Sequence, residues 1–250
     1  MTSERVRGRV FGEVAHDYDR VRPTYPPQLI EEVLATAPAT LLEVGAGTGK
    51  ATALVAASGR ALTALEPDPA MAAVLRARRL PDVQVVEGLF EHYHPGTTVD
   101  LLYSAQAWHW LDPALRWDHA ASLLAPGGTI ALFWNDDSFA DPRTLARVRE
   151  VYRELAPEIE EDALAPTPDR FWPQAELAAH PAYTGVTNRL YSWTRTVSAA
   201  DRITELSTLS FYRMLDEPLR DRLFPAVQAA IGGDLELTML TRLYLARTRT

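Results

Sequence analysis

Cysteine is absent from the 250 residues, which excludes a disulfide framework, a thiolate nucleophile, a Cys-ligated zinc and an iron–sulfur cluster. Lysine is nearly absent: of 25 basic residues only Lys50 is a lysine, a skew assigned to the base composition of the coding DNA rather than to mechanism. No run of about 18 apolar residues occurs, so a membrane-crossing helix is not expected. Residues 1–30 carry charges throughout, unlike a secretory leader, and a cytoplasmic protein is expected. Positive charge is also in deficit. A net charge of -8 argues against a protein that grips polyanionic nucleic acid by counterion release. His92 and His94 alternate with Tyr93 but lack a third and fourth ligand, so no metal is expected. What remains is 47% hydrophobic and 23% charged, with 18 prolines dispersed along the chain. That composition belongs to a globular protein of one large domain, or one domain carrying an insertion.

Short apolar runs at residues 41–44, 61–65, 83–86, 99–103 and 129–133 alternate with helix-like segments. This is the pattern of parallel strands joined by helical crossovers and covered on both faces. Residues 49–58 and 68–79 read as helices, the second opening with Asp68 as N-cap and Pro69 at the first helical position. Asp112-Pro113 repeats that start signal, and Pro126-Gly127-Gly128 is a helix stop leading into the next strand. After Asn135 the alternation lapses. Asp141-Pro142 starts a helix with Leu145, Val148, Tyr152 and Leu155 on one face. The proline-punctuated stretch 157–181 reads as an insertion laid over the sheet edge. A strand at 187–197 follows, then a capping box from Ser198 to Asp201 into a helix carrying Ile203, Leu206 and Leu209. Asp216-Glu217-Pro218 opens another helix, which Pro225 is expected to kink or split, and residues 235–245 form a last strand. The expected fold is α/β: a doubly wound, mostly parallel sheet with one antiparallel edge strand.

Leu41-Leu42-Glu43-Val44-Gly45-Ala46-Gly47-Thr48-Gly49 is a strand running into a glycine-rich turn and then a helix, where backbone can approach a ligand without Cβ interference. The dinucleotide fingerprint needs glycine where Lys50 stands. The phosphate-loop pattern needs glycine at Val44 and a hydroxyl at Ala51, so both fail. What is left is E-x-G-x-G-x-G with a second acid, Glu66, at the end of the next strand, placed to accept from two ribose hydroxyls.

Here the sequence resembles the class I S-adenosylmethionine-dependent methyltransferases, in the methyltransferase type 11 group of small-molecule enzymes. Five segments carry the resemblance in order: Glu43 to Gly49, then Ala64-Leu65-Glu66-Pro67-Asp68-Pro69-Ala70-Met71, and Glu87-Gly88-Leu89-Phe90-Glu91. The run from Asp100 to Trp110 and the turn Leu123-Leu124-Ala125-Pro126-Gly127-Gly128 complete the set. Upstream, Phe11, Ala15, Tyr18-Asp19, Arg22-Pro23 and Tyr25-Pro26 are similar to the N-terminal pattern of a subgroup that includes trans-aconitate methyltransferase-like proteins.

The resemblance implies a cofactor, S-adenosylmethionine, leaving as S-adenosylhomocysteine, and a small-molecule acceptor: a carboxylate, amine or hydroxyl. Gly45, Ala46 and Gly47 would pass under the methionine part with Glu43 near its ammonium, and Glu66 would fix the ribose. Gly88, Leu89, Phe90, Pro67 and Met71 would border the adenine, and Ser104, Ala105 and Gln106 the sulfonium. Many relatives carry an acid where this chain has Leu89, so adenine would be held by backbone groups and apolar faces. Tyr18, Arg22 and Tyr25 would close over the cofactor. The division implied is an arm over 1–37, a Rossmann-like core over 38–137, an inserted lid over 138–183, and the rest of the sheet with its helices over 184–250, as a monomer or homodimer without nucleic acid or membrane.

The methyl donor carries its own activation, so the protein chiefly aligns the acceptor and excludes water. His109, between Trp108 and Trp110, is the candidate base, with Tyr25 beside it as a catalytic candidate. Two rivals remain at the level of sequence: a nicotinamide-dependent oxidoreductase with the same glycine-loop logic, and a non-catalytic partner protein.

Overall fold

The computed structural model describes residues 14–159, 164 and 173–250. Phe11 and, within the expected lid over 138–183, residues 160–163 and 165–172 lie outside the described residues. Four short strands, β1 (Thr40–Val44), β2 (Ala61–Glu66), β3 (Val83–Glu87) and β4 (Val99–Ala105), are joined by three long ones: β5 (Leu124–Phe139), β6 (Tyr183–Ser198) and β7 (Asp234–Thr248). They form one sheet in the order β3-β2-β1-β4-β5-β7-β6. Pairings from β3 through β5 are parallel, whereas β7 runs antiparallel to both β5 and β6. The expected antiparallel edge is this β7–β6 pair, with β6 outermost. The chain leaves β1 in one direction to build β2 and β3 and returns to its other side for β4 and β5. That reversal opens a crevice at the C-terminal ends of β1 and β4, where ligands of such sheets bind.

Both faces of the sheet are covered. On one, α5 (Arg116–Leu123) buries Trp117, Ala120 and Leu123 against Leu102, Ile130, Leu132 and Trp134, with Leu177 of α7 (Pro173–Ala179) joining them. On the other, α2 (Pro27–Val33) and α3 (Lys50–Ala56) bury Leu29, Ile30, Val33, Ala51 and Val55 against Leu41, Leu101, Tyr103, Ala131 and Phe133. In α4 (Pro69–Ala77) the cap is as the sequence predicts: the Asp68 carboxylate accepts from the amides of Ala70 (2.8 Å) and Met71 (3.1 Å). The start expected at Asp112 is different. Its carboxylate accepts from Ala114 N (3.0 Å) in a turn, and α5 begins only at Arg116.

The long strands outrun the parallel ones. Pairing of β4 with β5 ends at Phe133, while β5 continues beside β7 to Phe139, past the boundary expected at 137. On this extension α6 (Pro142–Leu155), α8 (Ala199–Ser207), α9 (Ser210–Arg213) and α10 (Glu217–Ile231) build a second core around Val148, Tyr152, Leu206, Leu223, Leu237 and Met239. Leu209 falls between α8 and α9 rather than inside a helix. Pro225 does not split α10, because Leu223, Val227 and Ile231 on one face are all buried in that core and hold the helix across the missing amide. This helical cap stands above the C-terminal ends of the parallel strands.

The N-terminal helix α1 (Ala15–Val21) is tied to the cap and to the glycine loop. Arg22 donates Nε to Thr208 Oγ1 (2.9 Å) and Nη2 to the Thr208 carbonyl (3.2 Å), Arg195 donates to the Val21 carbonyl, and Arg20 pairs with Asp201. Arg78 of the loop after α4 bridges the Thr48 carbonyl (2.7 Å) and Asp19. Below them, Arg202 is buried between Asp137 (2.7 Å) and Glu205 (3.3 Å). No helix among the described residues is long and apolar enough to cross a membrane.

Candidate functional site

The crevice between β1 and β4 is an open cleft of about 450 Å³. It brings together nine of the residues expected there: Tyr18, Arg22 and Tyr25 from the arm, Glu43, Gly45, Ala46 and Gly47 from β1 and its loop, and Ala105 and Gln106 beyond β4. Pro23, Thr48, Lys50 and Ala51 complete the lining and were not anticipated.

The loop geometry explains its glycines. Gly45 has φ +72°, and a Cβ there would stand 2.4 Å from Ala107 Cβ, so the two loops touch only because the side chain is missing. Gly47 has φ +58° and faces open space, leaving its backbone bare toward a ligand. The amides of Gly45 and Ala46 are held by the Leu65 carbonyl at 2.9 and 3.0 Å. Across the cleft Gln106 also adopts φ +63°, a left-handed conformation unusual for a residue with a side chain. Its amide bond to Phe133 O (2.9 Å) and its side-chain bond to Asn135 O (3.2 Å) keep it there.

Glu43 is fully buried at the end of β1. Its Oε2 accepts from Thr52 Oγ1 (2.6 Å) and Tyr103 OH (2.8 Å), while Oε1 has no partner among the described residues. Burial pushes its pKa from 4.5 to about 7, against the lowering by those two hydroxyls. Glu66 ends β2 one strand away, and its carboxylate is turned onto backbone: Oε2 accepts from Gly47 N (2.7 Å) and Oε1 from Asp68 N (2.8 Å). Burial lifts it too to about 7. It does not line the cleft, although each oxygen retains a second acceptor site.

The other expected residues lie outside the cleft lining. Ser104 is fully buried and its hydroxyl donates to Val44 O (2.8 Å), so it joins β4 to β1 instead of facing a ligand. Met71 is buried in the first turn of α4, Pro67 and Leu89 are exposed, Gly88 is half-buried, and Phe90 packs 5.8 Å from Trp108 in the core. His109 sits in a short 3-10 turn, Trp108–Trp110, its Nδ1 accepting from Trp134 Nε1 at 3.4 Å. Burial, with Arg116 nearby, lowers its pKa to about 4, so the ring is neutral at physiological pH. Tyr25 does line the cleft. Its ring meets Phe133 edge-on at 4.9 Å, and burial raises its phenol well above the ordinary range.

Sheet order, the switch-point cleft and the glycine turn flanked by two buried acids define a class I, Rossmann-like methyltransferase fold. Residues 42–132 match the family model described as a methyltransferase domain. An uncharacterized methyltransferase of Mycobacterium bovis is 40% identical over 134 residues, covering 53% of this chain and 55% of that protein. A trans-aconitate 2-methyltransferase of Methylobacterium radiotolerans is 33% identical over 127 residues, covering 50% and 47%. The chain thus spans about half the length of these curated relatives. Among solved structures, a putative type II methyltransferase from Anaeromyxobacter dehalogenans superposes with a TM-score of 0.63 at 23% identity, covering 90% of this chain and 97% of that one. The last comparison speaks for the fold alone.

Proposed function

We propose that this protein transfers a methyl group from S-adenosylmethionine to a small molecule. The observation that carries the reading is the unpartnered, buried Glu43 Oε1 beside a glycine turn whose open side faces the cleft. A buried acceptor without a donor is costly, and an ammonium is the group that would satisfy it. The cofactor supplies a methyl carbon already activated by a sulfonium leaving group.

The chain's residues would bind and align. Gly45, Ala46 and Gly47 would border the amino-acid end, their amides held by Leu65 O and the Glu66 carboxylate, with Glu43 receiving its ammonium. Glu66 offers its remaining acceptor sites to the ribose while bracing the loop through Gly47 N. Pro67, Gly88 and Leu89 follow the ends of β2 and β3 and Met71 stands in the first turn of α4, where an adenine would lie. Ala105 and Gln106 flank the methyl path. Tyr18, Arg22 and Tyr25 roof the cleft and exclude water, Arg22 being steadied over the Tyr18 ring at 4.8 Å. With Nδ1 accepting from Trp134, the neutral His109 carries its proton on Nε2 and donates rather than abstracts. Tyr25 keeps its proton as well. Catalysis is then by proximity and orientation, which suits an acceptor already nucleophilic at neutral pH, a carboxylate or a free amine. The modest cleft under a fixed roof favours a small acceptor, and a soluble cytoplasmic enzyme fits that role.

Calorimetric titration with S-adenosylhomocysteine beside NAD tests the reading. Binding of the first alone is expected; binding of NAD, or of neither, overturns it.

A further inference from the structure

The sole lysine of the chain, Lys50, lines the cleft with Glu43, Gly47 and Arg22. Among the described residues its ammonium has no hydrogen bond and no ion pair. The carboxylates around it are already engaged: Asp19 by Arg78, and Glu205 by Arg195 at 3.1 and 3.2 Å and by Arg202 at 3.3 Å. Arg22, the other cation of the lining, commits Nε and Nη2 to Thr208. Lys50 therefore offers three N–H donors and a positive charge into the cleft with no carboxylate in hydrogen-bonding contact among the described residues. On the far side of the same glycine turn stands Glu43 Oε1, an acceptor without a donor. A cation without a bonded partner and a carboxyl oxygen without a donor thus bracket the glycine turn.

We propose that Lys50 is the anion anchor of the cleft, its ammonium holding a carboxylate of the bound ligand. The inference rests on the cofactor reading only for the identity of the nucleoside, not for the anion. Paired with Glu43, it matches an α-amino-acid zwitterion, ammonium at one end and carboxylate at the other. Burial lowers the pKa of Lys50, Arg78 and Arg195 add to that, and Asp19 and Glu205 oppose it. A bound carboxylate reverses the shift, so ligand binding and retention of the proton support each other. The carboxylate has two possible sources, the amino-acid end of the nucleoside or the acceptor.

Lys50→Met and Lys50→Arg distinguish them by calorimetry with three probes. S-adenosylhomocysteine carries the zwitterion, 5′-methylthioadenosine is the same nucleoside thioether without it, and citrate, titrated into nucleoside-free protein, is a bare polycarboxylate. Lys50→Met is expected to weaken S-adenosylhomocysteine by about tenfold or more, leave 5′-methylthioadenosine unchanged, and be largely rescued in Lys50→Arg. Unchanged 5′-methylthioadenosine binding also certifies that the variant is folded. Loss of citrate binding with S-adenosylhomocysteine intact keeps the anchor and assigns it to an acceptor carboxylate. Undiminished affinity of Lys50→Met for both carboxylate probes overturns the proposal, as does a wild-type protein that binds neither. A wild-type protein that binds citrate through Lys50 but no nucleoside overturns the cofactor reading alone.

Discussion

Replacing Glu43 with Gln should make the protein's stability less sensitive to alkali. Glu43 has a pKa of about 7 in the fold against an ordinary 4.5, because its ionised form is buried with only one oxygen satisfied. Below 4.5 both folded and unfolded chains hold the proton. Between 4.5 and about 7 the unfolded chain has released it and the folded one has not, so stability falls as pH rises and levels off above about 7. The gap corresponds to about 3 kcal/mol. Gln keeps an acceptor for Thr52 and Tyr103 but cannot ionise, and its amide nitrogen adds an offset that does not change with pH. Glu66, which titrates near the same pH, is common to both proteins and cancels apart from its repulsion of Glu43. Wild type minus variant, measured by urea unfolding at about pH 5 and about pH 8, should therefore move by up to 3 kcal/mol in favour of Glu43→Gln at the higher pH. A difference that stays flat across this range would refute the argument that Glu43 is carried into the fold as a neutral acid.

Two further substitutions separate scaffold from ligand contacts. Gly45→Ala forces a Cβ against Ala107 at a left-handed φ, and a loss of about 2–4 kcal/mol in urea unfolding is expected. Ser104→Ala strands the Val44 carbonyl in a fully buried strand pair, which should lower stability by about 1–2 kcal/mol while leaving S-adenosylhomocysteine affinity, read by calorimetry, nearly unchanged.

The parallel half of the fold was legible because its signals are local. Continuous apolar runs, the Asp68-Pro69 cap and the glycine turn each dictate their own conformation within a few residues, whereas the strand order is set by pairings between segments far apart in sequence. Of the cleft lining, Gly45 to Gly47 and Glu43 were legible because backbone chemistry marks that turn, whereas Glu66 ends β2 as expected but turns its carboxylate onto backbone amides outside the lining. Ser104 was not, because β4 is buried on both faces and alternation there does not say which hydroxyl faces the cleft and which a neighbouring strand. His109 carries no mark in sequence of the Trp134 indole that accounts for its acceptor nitrogen, a contact between segments that only the folded sheet brings together. The rarity of lysine reflects composition and does not mark Lys50, whose position directly after the turn is the clue the sequence offers. The extension of β5 to β7 escaped notice because Asn135-Asp136-Asp137 reads as a loop. Asn135 and Asp137 are tolerated in a strand because Thr241 and Arg202 supply their partners.

The clasp between arm and cap bears on timing. Tyr18, Arg22 and Tyr25 of the cleft lining belong to an arm that Arg20, Arg22 and Arg195 fasten, through bonds to Asp201, Thr208 and the Val21 carbonyl, to a helical layer inserted between the last two strands. On the proposed reading, lifting that arm to release product parts it from the cap, and one of the fastenings, Arg20 with Asp201, is a solvent-exposed ion pair weakened by salt. Residence time thus becomes a property of the ionic medium as well as of the cleft, and turnover limited by product departure would quicken as ionic strength rises.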